Sequence, residues 1–461
     1  MFSRKSFSLL RRGLGLLPKL SSFVGFICCS VLVLQFSLGA EDKLVIMSPH
    51  WEGIEREFDR NFKAWYKSKT GHDVQLDWID QGGSSSDFRF IEAEFKRVPE
   101  GIGIDLFFGG GTDNYMKLAE MGLLRSFKLP EEELNRIPKE IYGIPVYDSQ
   151  YRWYGAALSS FGIMHNEFLR QRLKLPEVKT WQDLTQPGLL GKIGAADPRE
   201  SGSAHMIYEI ILQGYGWQKG FALITQLGAN VRSFSAGSNA IPKDVVKGQV
   251  IYGMAIDFYA YAQIAVAGKE KIKFVIPPDA AVVSPDSIAI LVGAENLEVA
   301  KEFVAFTLSD AAQKLWVLPN GDPEGPKWPG GLNRASVIPA LYDKLGERCV
   351  VPNPFTRNLT PIQYDAEKGG IRWDIVSDLI GTLVIENHKN LVRAWKAINK
   401  TEDLQKRAAA IQILGEVPIT EDEAMRLSET EWKKSDFRNR KLKEWGQFSR
   451  EKFRRAQKTV K

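Results

Sequence analysis

Apolar residues in the first part of the chain alternate between two spacings, one typical of strands and one typical of helices. Residues 44–47 form a short apolar run and residues 74–79 alternate between apolar and polar positions, so both are predicted strands. The apolar residues between them recur every three or four positions, which predicts one face of a helix: Ile54, Phe58, Phe62 and Trp65. A helix near residues 88–98 and a strand at 104–108 follow. This β-α-β-α-β order predicts a parallel sheet with helices on both faces.

The middle of the chain carries a second α/β unit, from about residue 160 to residue 284. Strands are predicted near residues 192–195 and 251–256, and residues 287–292 predict a return strand. One helix is predicted over residues 296–316, because apolar residues recur along one side of it.

The C-terminal hundred or so residues are predicted to be helical. Residues 371–385 are apolar enough to dock on the rest of the chain, whereas residues 421–461 carry 13 basic and 8 acidic residues. A run of charges of this kind is typical of a solvated helix, so we expect the tail to pack loosely on the α/β units. A partner-binding or envelope-anchoring role is the alternative.

The net charge of +5 comes entirely from the first 40 residues. They contain five basic residues and no acidic ones, so the rest of the chain has 56 of each sign. A balanced charge gives no support for a nucleic-acid partner.

The same 40 residues have the three parts of a secretory signal peptide. A basic start precedes an apolar run, and a small-residue segment ends at Ala40, where we expect cleavage. The alternative is an uncleaved membrane anchor. After cleavage Cys349 is the only cysteine left, which excludes a disulfide within the mature chain. The mature protein is therefore expected in the periplasm or outside the cell.

Residues 181–204 carry the most informative motif of the chain. They contain W-Q-D-L, then G-K-I, then A-D-P, and end in Ser201-Gly202-Ser203 just before a predicted helix start near Ala204. Such a loop leaves backbone N–H groups free at a helix N-terminus, where an anionic or hydroxyl-rich ligand is stabilised. The motif resembles the periplasmic solute-binding proteins of ABC importers, in the family that takes up ferric iron, polyamines and small organic anions. Residues 300–313 also resemble the penultimate helix of that family.

The resemblance covers about residues 43–345 and implies an α/β fold of the type II periplasmic-binding-protein class. In that fold two lobes are joined by two crossover strands, the first of them near residues 151–166. The implied division is a signal peptide (1–40), lobe 1 (41–157 plus 286–350), lobe 2 (158–285) and a helical C-terminal extension (351–461). It also implies a monomeric protein without catalytic activity that captures a small ligand and delivers it to an ABC permease in the inner membrane.

Serine- and glycine-rich loops follow the predicted strands of both units. Ligands of open α/β sheets bind beyond the carboxyl ends of the strands, so these loops are candidate ligand contacts. The candidates are Ser48, His50, Ser84, Ser85, Ser86, Gly111, Thr112, Ser201, Gly202, Ser203 and Ser238. Serine and glycine also occur in ordinary turns and caps, so the prediction depends on several loops meeting at one edge.

Tyr259 and Tyr261 are the candidate metal ligands, with His50 as a third. In the ferric-binding branch of the family, neighbouring tyrosines coordinate iron as phenolates, and the resemblance implies ferric iron or its chelate as the transported ligand. No resident cofactor is expected. Here Ala260 separates the two tyrosines. Both can reach one ion only if the segment is extended, because residues two apart on a helix point about 200° apart.

Asp257 is a further candidate, because a carboxylate at the cleft can pair with an amine or a metal ion. A helix cap or a hinge hydrogen bond is the alternative for this residue. Small oxyanions, phosphonates and polyamines therefore stay open as ligands beside iron.

Motifs of common hydrolases and nucleotide enzymes are missing from the sequence. It has no Gly-x-Ser-x-Gly, no His-Glu-x-x-His and no Gly-x-x-x-x-Gly-Lys-Ser. We therefore do not expect an enzyme. A receptor or envelope scaffold that reports ligand occupancy through the C-terminal extension is the alternative of another class.

Overall fold

The computed structural model describes residues 41–356 and 362–461. The predicted signal peptide lies outside the described residues. Within the described part, no helix has both the length and the apolar character needed to cross a membrane.

Strands and helices alternate through the first two thirds of the described chain. The strands are β1 Asp42–Met47, β2 Val74–Ile79, β3 Leu106–Gly111, β4 Leu124–Arg125, β5 Glu140–Ile141, β6 Ile144–Pro145, β7 Tyr154–Asn166, β8 Ile193–Ala196, β9 Val231–Ser235, β10 Tyr252–Ile256, β11 Ile272–Val275 and β12 Val283–Leu291. The helices of this region are α1 Glu52–Thr70, α2 Ser84–Arg97, α3 Thr112–Glu120, α4 Glu131–Leu134, α5 Glu167–Arg172, α6 Gly202–Tyr215, α7 Trp217–Asn230, α8 Ala240–Val246, α9 Asp257–Ala267, α10 Leu297–Thr307, α11 Asp310–Val317 and α12 Pro339–Leu345.

From residue 362 onward the elements that the structure describes are helical. They are α13 Ala366–Ile371, α14 Trp373–Ile380, α15 His388–Lys400, α16 Leu404–Leu414, α17 Glu421–Glu429 and α18 Ser435–Thr459, and a π-helical turn at Gly381–Ile385 follows α14.

Two groups of strands meet at the long strand β7. The main path of the sheet runs β2-β1-β3-β12-β7-β10-β8-β9. The first half of β7 pairs with β12, up to Ser160, whereas its second half pairs with β10 and β11 from Phe161 onward. We call the β2-β1-β3-β12 group lobe 1 and the β10-β8-β9-β11 group lobe 2. The predicted lobe boundaries at 157/158 and 285/286 fall within β7 and β12, and they stay a prediction.

Each lobe has its own buried core, and the C-terminal helices share the core of lobe 2. Trp181, Ile210 and Leu227 of lobe 2 belong to one apolar cluster with Leu379 and Trp395 of the extension. The aromatic core of lobe 1 forms around Phe58, Phe108, Phe303 and Trp316. The extension is therefore fixed to lobe 2 by the same hydrophobic burial that stabilises the lobe itself.

Two expectations about helices are wrong. Residues 296–316 form two helices rather than one, because Ser309 caps a new helix by accepting a hydrogen bond from Ala312 N–H. The charged tail does not pack loosely. Trp445 and Phe453 of α18 are buried, and even the ammonium group of Lys452 is buried and donates to the carbonyl oxygens of Leu414 and Glu416.

Candidate functional site

A cleft with a cavity volume of about 330 Å³ lies between the two lobes. Its walls come from loops at strand ends in both lobes, as expected for an α/β sheet. The predicted residues that line it are His50, Ser84, Gly111, Ser201, Gly202, Ser203, Ser238 and Tyr259. The sequence-predicted loops thus meet at one place.

The other predicted residues lie near the cleft without lining it. Ser48 Oγ is 3.1 Å from Nδ1 of His50, and Thr112 Oγ1 is 3.5 Å from the carbonyl oxygen of Pro285. Ser85 is buried, and Ser86 donates a hydrogen bond of 3.3 Å to Glu200. These residues support the loops that hold the lining residues.

Helices α2, α3 and α6 begin at the cleft. The residues before α2 and α3, Gly83 and Gly111, have no side chain that could cap the helix, so backbone N–H groups at these ends stay available to a ligand. At α6, Ser201 Oγ accepts a hydrogen bond from Ala204 N–H, and it also lies 2.5 Å from Ser238 Oγ. Helix N-termini with free N–H groups and hydroxyls favour an anion.

Acidic side chains also border the cleft, and one of them already binds backbone N–H groups of a loop there. Asp80 accepts hydrogen bonds from the N–H groups of Gly82 (2.8 Å) and Gly83 (3.0 Å). Among the described residues that line the cleft there is no lysine or arginine. An anionic ligand would therefore be held by backbone dipoles and hydroxyls rather than by a cationic side chain.

The two lobes touch directly beside the cleft. Arg89 of lobe 1 donates a hydrogen bond of 2.6 Å to the carbonyl oxygen of Arg199 in lobe 2, next to the bond from Ser86 to Glu200. These contacts join α2 to the loop before α6. The structure is therefore that of a closed cleft on this side.

A buried cluster of His50, Asp286 and Arg334 lies beneath the cleft, and the first two of these residues also line it. Nη1 of Arg334 lies 2.6 Å from Oδ2 of Asp286, and Nε2 of His50 lies 2.8 Å from the same oxygen. Arg334 also donates to Ser159 Oγ at 3.0 Å, and Asp286 accepts from Gly110 N–H. The cluster ties β3, β7 and β12 together beneath the site.

The ion pair between Arg334 and Asp286 determines which side chains of this cluster are charged. Burial by itself raises the pKa of Asp286, but the charge of Arg334 and the contacts with His50 outweigh it and lower the pKa to about 2. Burial lowers the pKa of His50, although Asp286 opposes the shift. Arg334 and Asp286 thus form a buried ion pair, and both nitrogens of His50 already have partners, which leaves the imidazole poorly placed for a metal ion.

Tyr259 and Tyr261 lie on helix α9, not on a strand. Tyr259 lines the cleft, whereas the ring of Tyr261 contacts Phe274 of β11, with 5.5 Å between centroids. The condition for a shared metal ion, an extended segment, is therefore not met. In the described part of the chain, no three histidine, cysteine or acidic residues come together at a distance suitable for one metal ion.

Asp257 begins α9 and is buried. Its carboxylate accepts hydrogen bonds from the N–H (2.8 Å) and Oγ–H (2.7 Å) of Ser160 and from Phe258 N–H (2.7 Å). It does not line the cleft. It instead fastens α9 to β7 where that strand passes from lobe 1 to lobe 2.

Sequence reasoning missed Asp286, Arg334 and Trp373. Asp286 follows Ser284-Pro285 in the return strand. An acidic residue within an otherwise apolar strand is unusual, and it could have been recognised as a candidate site residue on that ground. Arg334 and Trp373 come from irregular or C-terminal segments that no strand-end rule connects with the cleft. Trp373 lines the cleft although it belongs to the extension.

Residues 102–327 match the family described as bacterial extracellular solute-binding protein. This part of the chain thus matches a family whose members bind small ligands and work with ABC permeases. A protein of Haemophilus influenzae is 28% identical over 326 residues, which cover 70% of this chain and 83% of that protein. The phosphoglycerate transport regulatory protein PgtC of Salmonella typhimurium is 25% identical over 297 residues, 63% of this chain and 68% of PgtC.

Solved structures of periplasmic binding proteins share the fold. The binding protein AfuA from Actinobacillus pleuropneumoniae, with fructose-6-phosphate bound, has a TM-score of 0.59 and 22% identity, covering 77% of this chain and 98% of AfuA. The apo ferric ion-binding protein A of Pasteurella haemolytica has a TM-score of 0.56 and 15% identity, covering 74% and 98%. The predicted two-lobed fold with added C-terminal helices is thereby confirmed.

Proposed function

We propose that this ABC-importer binding protein captures a small phosphorylated organic anion between its lobes. The observation that carries the proposal is the meeting of three helix N-termini, from α2, α3 and α6, with serine hydroxyls at one cleft. Phosphate oxygens accept several hydrogen bonds at once and are stabilised by helix dipoles. The names of two similar proteins, one concerned with phosphoglycerate transport and one solved with fructose-6-phosphate, support the same ligand class.

Ferric iron has less support than the sequence alone suggested. Tyr259 borders the cleft without Tyr261, and both ring nitrogens of His50 have partners. Fe(III) requires several hard anionic oxygen ligands, and one phenol does not supply them. A polyamine is the second candidate, because Asp80 and Glu200 border the cleft and can accept hydrogen bonds from ammonium groups.

Calorimetric titration of the purified protein tests the ligand class. The probes are 3-phosphoglycerate, fructose 6-phosphate, inorganic phosphate, ferric citrate and spermidine. We expect micromolar or tighter binding of an organic phosphate and at least tenfold weaker binding of the other probes. Binding of spermidine alone would overturn the proposal in favour of a polyamine, and binding of ferric citrate alone would overturn it in favour of chelated iron.

We further propose that residues 1–40 are removed after Ala40 and that the mature monomer works in the periplasm. The basic, apolar and small-residue segments of the leader support this, as does the extracellular character of the family. N-terminal sequencing of the secreted protein should begin at Glu41. Retention of the leader would instead favour the membrane anchor.

A further inference from the structure

The extension is fixed to lobe 2 next to the cleft by a buried ion pair. Arg372, between α13 and α14, donates from Nε (2.9 Å) and Nη2 (2.6 Å) to Oε1 of Glu209 in α6, and neither side chain is exposed. On the following turn, Ser377 Oγ lies 2.9 Å from Nδ1 of His205, also in α6. Breaking a buried ion pair is costly, so α13, α14 and α6 move as one body.

The same segment of the extension also contacts lobe 1. The hydroxyl group of Tyr364 donates to Asp113 of α3, with 3.1 Å to Oδ2, and Lys117 of α3 lies 3.5 Å from Asp374. The backbones are close as well, since a Cβ atom added at Gly370 would lie 3.8 Å from the carbonyl oxygen of Asp113. A hinge motion between the lobes would carry α3 away from these partners.

Trp373 brings the extension into the cleft itself. Its indole stacks on His205, with 3.7 Å between ring centroids and an angle of 23° between the planes. A Cβ atom added at Gly202 would lie 3.7 Å from its Cη2 atom and also meet Ser84 of lobe 1. Trp373 therefore lies where α6 of lobe 2 and α2 of lobe 1 approach each other, and it borders the cavity.

We infer that the C-terminal extension is a latch between the lobes and the third wall of the ligand site. The contacts from Tyr364 and Asp374 to α3 exist only when the lobes are close, so they favour the closed form even without ligand. The apparent affinity of a binding protein is its intrinsic affinity multiplied by the fraction of molecules in the binding-competent form. The latch raises this fraction and therefore increases the apparent affinity. Trp373 supplies an apolar surface beside the helix N-termini, which suits the carbon chain of an organic phosphate; this part rests on the proposed function.

Two variants test the latch. Trp373→Ala removes the wall, and Tyr364→Phe removes only the hydroxyl group that contacts lobe 1. Trp395→Phe is the matched control, because the indole of Trp395 donates to Asn230 within the lobe 2 body (2.8 Å) and does not reach lobe 1. Circular dichroism and melting curves establish that each variant is folded.

The first readout is the distance between the lobes in ligand-free protein. Spin labels at Lys96→Cys of α2 and Lys243→Cys of α8, in a Cys349→Ser background, report this distance. We expect Trp373→Ala and Tyr364→Phe to lengthen and broaden the distribution and Trp395→Phe to leave it unchanged. Identical distributions in all variants would overturn the latch.

The second readout is the affinity for 3-phosphoglycerate and inorganic phosphate. Trp373→Ala should weaken binding of the organic phosphate at least tenfold and should affect inorganic phosphate less, because only the former has carbon atoms to contact the indole. Equal losses for both would remove Trp373 from the ligand site. If the wild-type protein binds neither probe, the proposed ligand class fails, while the distance measurement still decides the latch.

Discussion

Gly202 of lobe 2 and Ser84 of lobe 1 approach each other so closely that a Cβ atom added at Gly202 would lie 2.2 Å from Oγ of Ser84. Both residues begin helices, α6 and α2, and both line the cleft. A side chain at Gly202 would therefore collide with Ser84 unless the serine hydroxyl group moved.

Gly202→Ala should weaken ligand binding about tenfold, because overpacking at a tight contact costs roughly 1–3 kcal/mol and here opposes closure. In a Ser84→Gly background, which lacks the clashing hydroxyl group, Gly202→Ala should weaken binding much less. Calorimetric titration of Ser84→Gly, Gly202→Ala and the double variant measures this. Equal losses from Gly202→Ala in both backgrounds would mean that the clash is not what limits closure.

Arg334→Met should lower the free energy of unfolding by about 3–5 kcal/mol, because it leaves the carboxylate of Asp286 buried without its cationic partner. Asp286→Asn/Arg334→Met should be more stable than Arg334→Met, since no unpaired charge remains. Urea denaturation measures both. Lys67→Met is the control, because its pair with Asp73 is exposed and should contribute less than about 1 kcal/mol.

His205→Gln should change how stability depends on pH. Burial lowers the pKa of His205 well below its usual value, and the charges of Lys117 and Arg372 act in the same direction. Below about pH 6.5 the unfolded chain takes up a proton at this residue that the folded protein does not, so stability falls by about 1.4 kcal/mol per pH unit.

His205→Gln lacks this contribution, so its stability relative to the wild type should improve by about 1 kcal/mol between pH 6.5 and 5.5. Melting in urea at the two pH values measures the difference. His72→Gln is the control, because the side chain of His72 is exposed. A parallel pH dependence of wild type and His205→Gln would show that His205 is protonated in the folded protein.

The strand-end rule explains why much of the cleft could be predicted. Loops after β1, β2 and β3 and the loop before α6 are local features, and a parallel sheet brings its carboxyl ends to one edge whatever the sequence of the core. Ser84, Gly111 and Ser201 were found in this way. The rule needs only the order of strands and helices, which apolar spacing supplies.

Residues placed by long-range packing could not be predicted in this way. Arg334 reaches Asp286 from an irregular segment after α11, and Trp373 reaches the cleft only because the extension shares the core of lobe 2. The segment around Tyr259 and Tyr261 was ambiguous for a different reason. It is almost entirely apolar, so its spacing does not distinguish a helix from a strand, and the helix separates the two hydroxyl groups.

The last prediction compares Tyr259 with Tyr261, which have the same side chain but lie in different surroundings. Partial burial raises the pKa of Tyr259, so its phenol stays neutral and can donate a hydrogen bond to an anion in the cleft. Tyr259→Phe should weaken binding of the organic phosphate about three- to tenfold, the loss of one hydrogen bond, whereas Tyr261→Phe should leave it unchanged. Ferric citrate provides the opposing test. A visible phenolate band that both substitutions abolish would require the two tyrosines to share an iron ion, and α9 would then have to unwind on binding.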